Sequence, residues 1–180
     1  SRGLVESISY TFLSLDDAIL FGGGDSSLQL ENPISSDLNC MRPSLLCNLI
    51  KVIPENYNRE NLNGCIFEIG PIFVGQKFDD QINHISGIRY GKTSNKEWTN
   101  SSRDYDFFDI KSDVESVLNV FGFTNTKYQT NIDTPEWFHP GRSAAFSLGK
   151  NKIAVFGNIH PKILNHFSIK TNVLGFEIYL

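Results

Sequence analysis

Cys65–Gly75, "CIFEIGPIFVG", and Ile82–Gly91, "INHISGIRYG", follow one another across a short charged loop. Both runs are rich in isoleucine and aromatic residues, and both end in glycine, the composition of strands bounded by turns. Two extended runs joined by so short a loop predict an antiparallel hairpin, because a parallel crossover needs a dozen or more connecting residues. Pro71 is expected to break the first run, since it has no N–H for a ladder. Glu68 alternates with Phe67 and Ile69 and should face away from the core. If the strand is covered on both sides, that carboxylate needs a partner.

Working outward, "VESISYTF" (Val5–Phe12) alternates Ile8, Tyr10 and Phe12 with polar residues and predicts a half-buried strand. Ser14 caps a short helix that Gly22–Gly24 ends. That glycine run lacks the Gly-Lys-Ser/Thr of a phosphate loop and reads as a turn. "SLLCNLIKVI" places Leu45, Leu46, Leu49, Ile50 and Ile53 on one helical face, with Pro54 disturbing its end. In "DFFDIKSDVESVLNVFG", Ile110, Val114, Val117, Leu118 and Phe121 recur at helical spacing and Gly122 stops the run. Strand-like segments flank "PEWFHPGRSAAF" (Pro135–Phe146), "KIAVFGNI" alternates again, "HPKILNHF" is a short helix and "NVLGFEIYL" a closing strand. Strands beside strands, with helices between some of them, predict an α+β fold with a mostly antiparallel sheet in one domain over residues 1–180. Extended runs at both ends suggest a segment of a longer chain.

Aliphatic and aromatic content of 40% is globular. A net charge of -4 argues against a domain that grips nucleic acid by itself, because that requires clustered Lys and Arg to release counterions. The densest basic stretch, "IRYGKTSNKEW", still interleaves neutral residues. Cys40, Cys47 and Cys65 fit no zinc spacing and read as reduced, buried thiols of a cytosolic protein. The four histidines show no paired ligand spacing, so no metal site is expected. No apolar run approaches the roughly 20 residues of a membrane span. Arg42, in "MRPSLL", precedes an apolar helix and is expected to form a structural ion pair with Glu31 or Asp37.

The segments "GLVESISYTFLS", "MRPSLLCNLI", "IFEIGPIF", "DFFDIKSDVESVL", "FHPGRSAAF", "FGNIHPKIL" and "GFEIYL", in that order, resemble the bacterial phenylalanine–tRNA ligase beta subunits in their central synthetase-like core domain. The resemblance runs from about Gly3 to Leu180. It implies the antiparallel sheet flanked by helices of class II aminoacyl-tRNA synthetases. It also implies a partner, the catalytic alpha subunit, in an alpha2beta2 enzyme that charges tRNA(Phe) using ATP and Mg2+. The segment itself is expected to bind neither cofactor and to touch tRNA weakly or not at all.

That family's alpha subunit carries an arginine on the motif 2 strand and another in motif 3, which meet the charge developing on the α-phosphate. Losing one such donor typically costs about 10²–10³ in rate. Here the resemblance puts Val74 in the first place, and the closing strand has Gly175 and Glu177 but no arginine. The chain is therefore expected not to activate an amino acid. "FHPGRSAAF" through "FGNIHPKIL" resembles the part that lines the phenylalanine pocket of the alpha subunit, and with the chemistry gone it reads as structural. Gly141 permits a tight turn after Pro140. Trp137, Phe138 and Phe146 fill a core or an interface. His139 and Arg142 form a hydrogen-bonded pair that fixes the turn, or Arg142 reaches a partner subunit or tRNA. His160 enters a helix with Pro161 in its first turn. Two other classes of reading are an active class II ligase domain, which the missing arginines disfavour, and a nucleic-acid-binding module, which the acidic charge disfavours. The strand "GLVESISYTF" looks like the one that follows the motif 1 helix, so Val5, Ile8 and Tyr10 are expected to be partly uncovered and to meet a partner.

Overall fold

The structure is a computed structural model that describes residues 2–94, 102–123 and 128–179. The basic stretch "IRYGKTSNKEW" passes outside the described residues after Ser94, and Leu180 lies outside them too.

Nine strands and four α-helices are described: β1 Val5–Glu6, β2 Phe12–Leu13, α1 Leu15–Leu20, β3 Cys40–Met41, α2 Leu45–Asn58, β4 Gly64–Phe73, β5 Gln81–Tyr90, α3 Phe107–Val120, β6 Gln129–Asn131, β7 Phe138–Leu148, β8 Asn151–Ile159, α4 Pro161–His166 and β9 Val173–Tyr179. Seven of the strands form one sheet in the order β1-β4-β5-β9-β8-β7-β6, while β2 and β3 pair separately. Every ladder in the large sheet is antiparallel except β1–β4. The expected α+β class and antiparallel sheet are present.

The helices take opposite faces of this sheet because adjacent strand residues point to opposite sides. All five residues of the expected α2 stripe are buried, Leu45 included, and Leu46, Leu49, Ile50 and Ile53 pack in one cluster with Ile88, Val155, Ile159 and Val173. On the other face, Ile110, Val114 and Leu118 of α3 cover Phe146, Phe156, Phe176 and Ile178. Each fully buried side chain of this size contributes about 1.5–3 kcal/mol, so the two helices are held by tertiary burial more than by their intrinsic propensity. Both also have polar N-caps: Ser44 accepts from the Leu46 N–H, and Asp106 forms a capping box with Asp109.

Four local expectations are corrected. The strand "VESISYTF" is not continuous. Only Val5 and Glu6 pair with β4, the Ser7 N–H closes the ladder on Phe67 O, and Ile8 and Tyr10 are 89% and 75% exposed. Beyond Ser7, side chains replace the ladder: Arg42 donates to Ser9 Oγ and Asn48 to Tyr10 O. Pro71 does not break β4, which pairs with β5 from Gly64 to Phe73. Its carbonyl accepts from Arg42 Nε, so its nitrogen lies on the same outer edge, where no strand needs the missing N–H. Pro54 lies inside α2, which continues to Asn58; burial of the helix's apolar face outweighs the one lost helical bond. Gly141 makes no tight turn. It sits in an irregular stretch of β7, which takes five steps from Phe138 to Ser143 while β8 takes two from Ile159 to Gly157.

Candidate functional site

The face of the sheet under α2 carries a row of polar side chains where a dry core would be expected. Strand pairing sets Glu68 beside Ser86 and Ser86 beside Glu177, and two residues along, on the same face, it sets Gly70 beside His84 and His84 beside Tyr179. All three members of the first row are buried. Arg42, itself 2% exposed, donates to Glu68 Oε1 at 2.7 Å, and Ser9 Oγ donates to Glu68 Oε2. Arg42 is thus a structural ion pair as expected, but its partner is Glu68, not Glu31 or Asp37. Those two acids lie nearer along the chain, yet β4 brings Glu68 to the base of α2. Glu68, expected to face away from the core, instead lies buried on the face that α2 covers, because helices cover both sides of the sheet, and it has the partner its burial requires.

Glu177 has no cation among the described residues. Ser44 Oγ donates to its Oε1 at 2.5 Å while accepting from the Leu46 N–H. Burial raises the Glu177 carboxyl to about 7, only partly opposed by Ser44 and the nearby indole of Trp137. The Trp137 Nε1 atom is buried without a well-formed hydrogen bond, and the same holds for Ser86 Oγ and His84 Nδ1. Burial lowers His84 to about 4, and its ring lies 4.9 Å from that of Tyr179. The Trp137 ring packs on Phe21, and Phe138 and Phe146 are buried, so the three aromatics fill the core.

These residues do not fit a nucleotide and its magnesium. Val74 lies past the end of β4 and is 58% exposed, away from the row. The β4 side chain that does share the row is the acid Glu68, already neutralised by Arg42. Described β9 carries no arginine. Among the described residues, no three His, Cys, Asp or Glu side chains are grouped as a metal would require.

The stretch around Gly141 forms a separate corner. The Gly141 N–H donates to His139 Nδ1 at 3.1 Å, and Ser143 Oγ donates to His139 O. His160 caps α4 by accepting the Lys162 N–H on its Nδ1, with Pro161 in the first turn as expected. The rings of His139 and His160 stack at 6.2 Å. The expected His139–Arg142 bond is absent: the backbone N–H of Gly141 takes His139 Nδ1, and Arg142 is exposed with Pro140 and Gly141.

The outer edge of the sheet is apolar. Val5, 66% exposed, leads into Ile8 and Tyr10. Beside them, Ile8, Tyr10, Phe12, Leu38 and Val52 line a groove of about 720 Å3 along α2. A second groove, of about 640 Å3, runs between β4 and α3 past Leu4, Phe67, Ile69, Val117 and Val120.

Three polar clusters escaped the sequence reading. Ser44 and Glu177 are 133 residues apart. Arg89 grips Asp113 of α3 through two bonds, with Arg2 on the same carboxylate. Asp17 ties α1 to α2 and α4 through Lys51 and His166, bonds that outweigh its burial and lower its pKa. Asp113 could have been noticed as a carboxylate one residue from the apolar stripe of α3; the other pairings have no local signal. Of the cysteines, Cys40 and Cys47 are buried as expected, whereas Cys65 is half-buried beside Arg89 and Tyr105.

The whole chain, residues 1–180, matches the family model described as the phenylalanyl tRNA synthetase beta chain CLM domain. It is 41% identical over 180 residues to the phenylalanine–tRNA ligase beta subunit of Rhodospirillum rubrum, covering 100% of this chain and 22% of that protein. The corresponding subunit of Rickettsia bellii is 38% identical over 179 residues, covering 99% and 20%. The chain thus spans about a fifth of the length of these relatives. Its fold is similar to that of a pyrrolysyl tRNA synthetase from Desulfitobacterium hafniense, with a TM-score of 0.70 at 16% identity over 99% of this chain and 60% of the other.

Proposed function

Because the chain belongs to the phenylalanyl-tRNA synthetase beta chain family, we propose that it is the non-catalytic, synthetase-like core domain of a beta subunit. In this reading it scaffolds the catalytic alpha subunit in a cytoplasmic alpha2beta2 enzyme that charges tRNA(Phe) with phenylalanine. ATP and Mg2+ are handled by the alpha subunit. The observation that carries the reading is the row under α2. Where an adenylate-forming site needs cations facing a developing negative charge, this sheet face offers two carboxyls, Glu68 and Glu177, already engaged by Arg42 and Ser44. The apolar edge of Val5, Ile8 and Tyr10 supports the scaffolding role, since exposed apolar patches mark interaction sites.

The test is phenylalanine-dependent pyrophosphate exchange with ATP and Mg2+, using the full-length beta chain with and without the alpha chain. Exchange is expected only when the alpha chain is present. Turnover by the beta chain alone, abolished by a point change in this segment, overturns the reading.

A further inference from the structure

We draw no further inference here: the strongest candidate, the apolar groove of about 640 Å3 between β4 and α3 lined by Leu4, Phe67, Ile69, Val117 and Val120, carries none, because nothing in the structure shows what covers it.

Discussion

The two faces of the sheet solve the same burial problem differently. Under α3 the contacts are apolar, with Phe146, Phe156 and Phe176 beneath Ile110, Val114 and Leu118, and the buried Arg89–Asp113 pair is gripped through two bonds. Under α2 the apolar stripe is interrupted by Glu68, Ser86, His84 and Glu177, which are only partly matched. The α3 face is a conventional core. The α2 face has the polar positions of a binding surface, but its strongest charge, Glu68, is consumed by Arg42. The lesson is that polar residues on a sheet face do not announce a site until their partners are known.

The largest effect should come from breaking the pair that separates the two readings of the α2 face. R42A leaves Glu68 as a buried carboxylate without a cation and is expected to cost about 3–5 kcal/mol, measured by urea denaturation of the full-length chain. The comparison is sharpened by R42M/E68L, which should recover most of that loss. No recovery would mean that the pair does more than neutralise itself.

The second prediction concerns pH and is specific to the α2 face. Glu177 is raised from 4.5 to about 7, so the folded state holds a proton that the unfolded chain has released, and this group's contribution to stability falls as pH rises between those values. His84 is lowered from 6.5 to about 4, so the unfolded chain binds the extra proton, and its contribution rises with pH over that overlapping window. The two slopes oppose each other. E177Q should expose a stability that climbs between pH 4 and 6.5, and H84F one that declines between pH 4.5 and 7, each by up to a few kcal/mol. The neighbouring Glu68 remains paired with Arg42, and burial pushes the Tyr179 hydroxyl up, out of this window. Parallel stability profiles for the two variants would refute the assignment.

These pH-linked neighbours also show where the sequence stops being informative. Both long helices were legible because their apolar residues recur every three or four positions, a signal that needs no knowledge of the partner. The hairpin was legible from two β-rich runs and a short loop. Val5–Phe12 misled because its alternation is real but its apolar side faces outward, and periodicity cannot tell a core from a partner. Arg42 was read as paired, yet its partner was sought nearby along the chain, whereas pairing of β4 and β5 decides which acid comes to hand. Ser44 was not singled out, although its hydroxyl joins α2 to β9. His139, Arg142 and His160 were legible as unusual residues, but the bonds that fix the two imidazoles run to backbone N–H groups, which a sequence does not display.

A smaller effect is expected at that helix start. S44A removes both the cap of α2 and the donor to Glu177, a loss of about 1–2 kcal/mol, measurable as a lowered melting temperature at pH 7. Because Ser44 favours the charged form of Glu177, the variant should lose less at pH 5, and an equal loss at both values would show that the cap alone matters.

The smallest effect on stability belongs to the outer edge. V5S/I8S/Y10S should change folding stability by no more than about 0.5 kcal/mol per site, as for other exposed positions, while weakening association with the alpha chain in light scattering. Unchanged association would remove this edge from the proposed interface.

The position of β9 has a consequence for how the chain acquires its structure. It is the last strand of the described segment in sequence, yet it lies in the middle of the sheet, between β5 and β8. Until it arrives, β5 and β8 are two open edges with nothing between them, and the pairs that join them span about half the segment or more on the β5 side. Such long-range pairing slows folding, and unpaired edges invite association with other chains. During synthesis the two groups of strands must therefore wait, exposed, for Val173–Tyr179 to leave the ribosome, so folding of this sheet can only be completed after nearly all of the segment has been made.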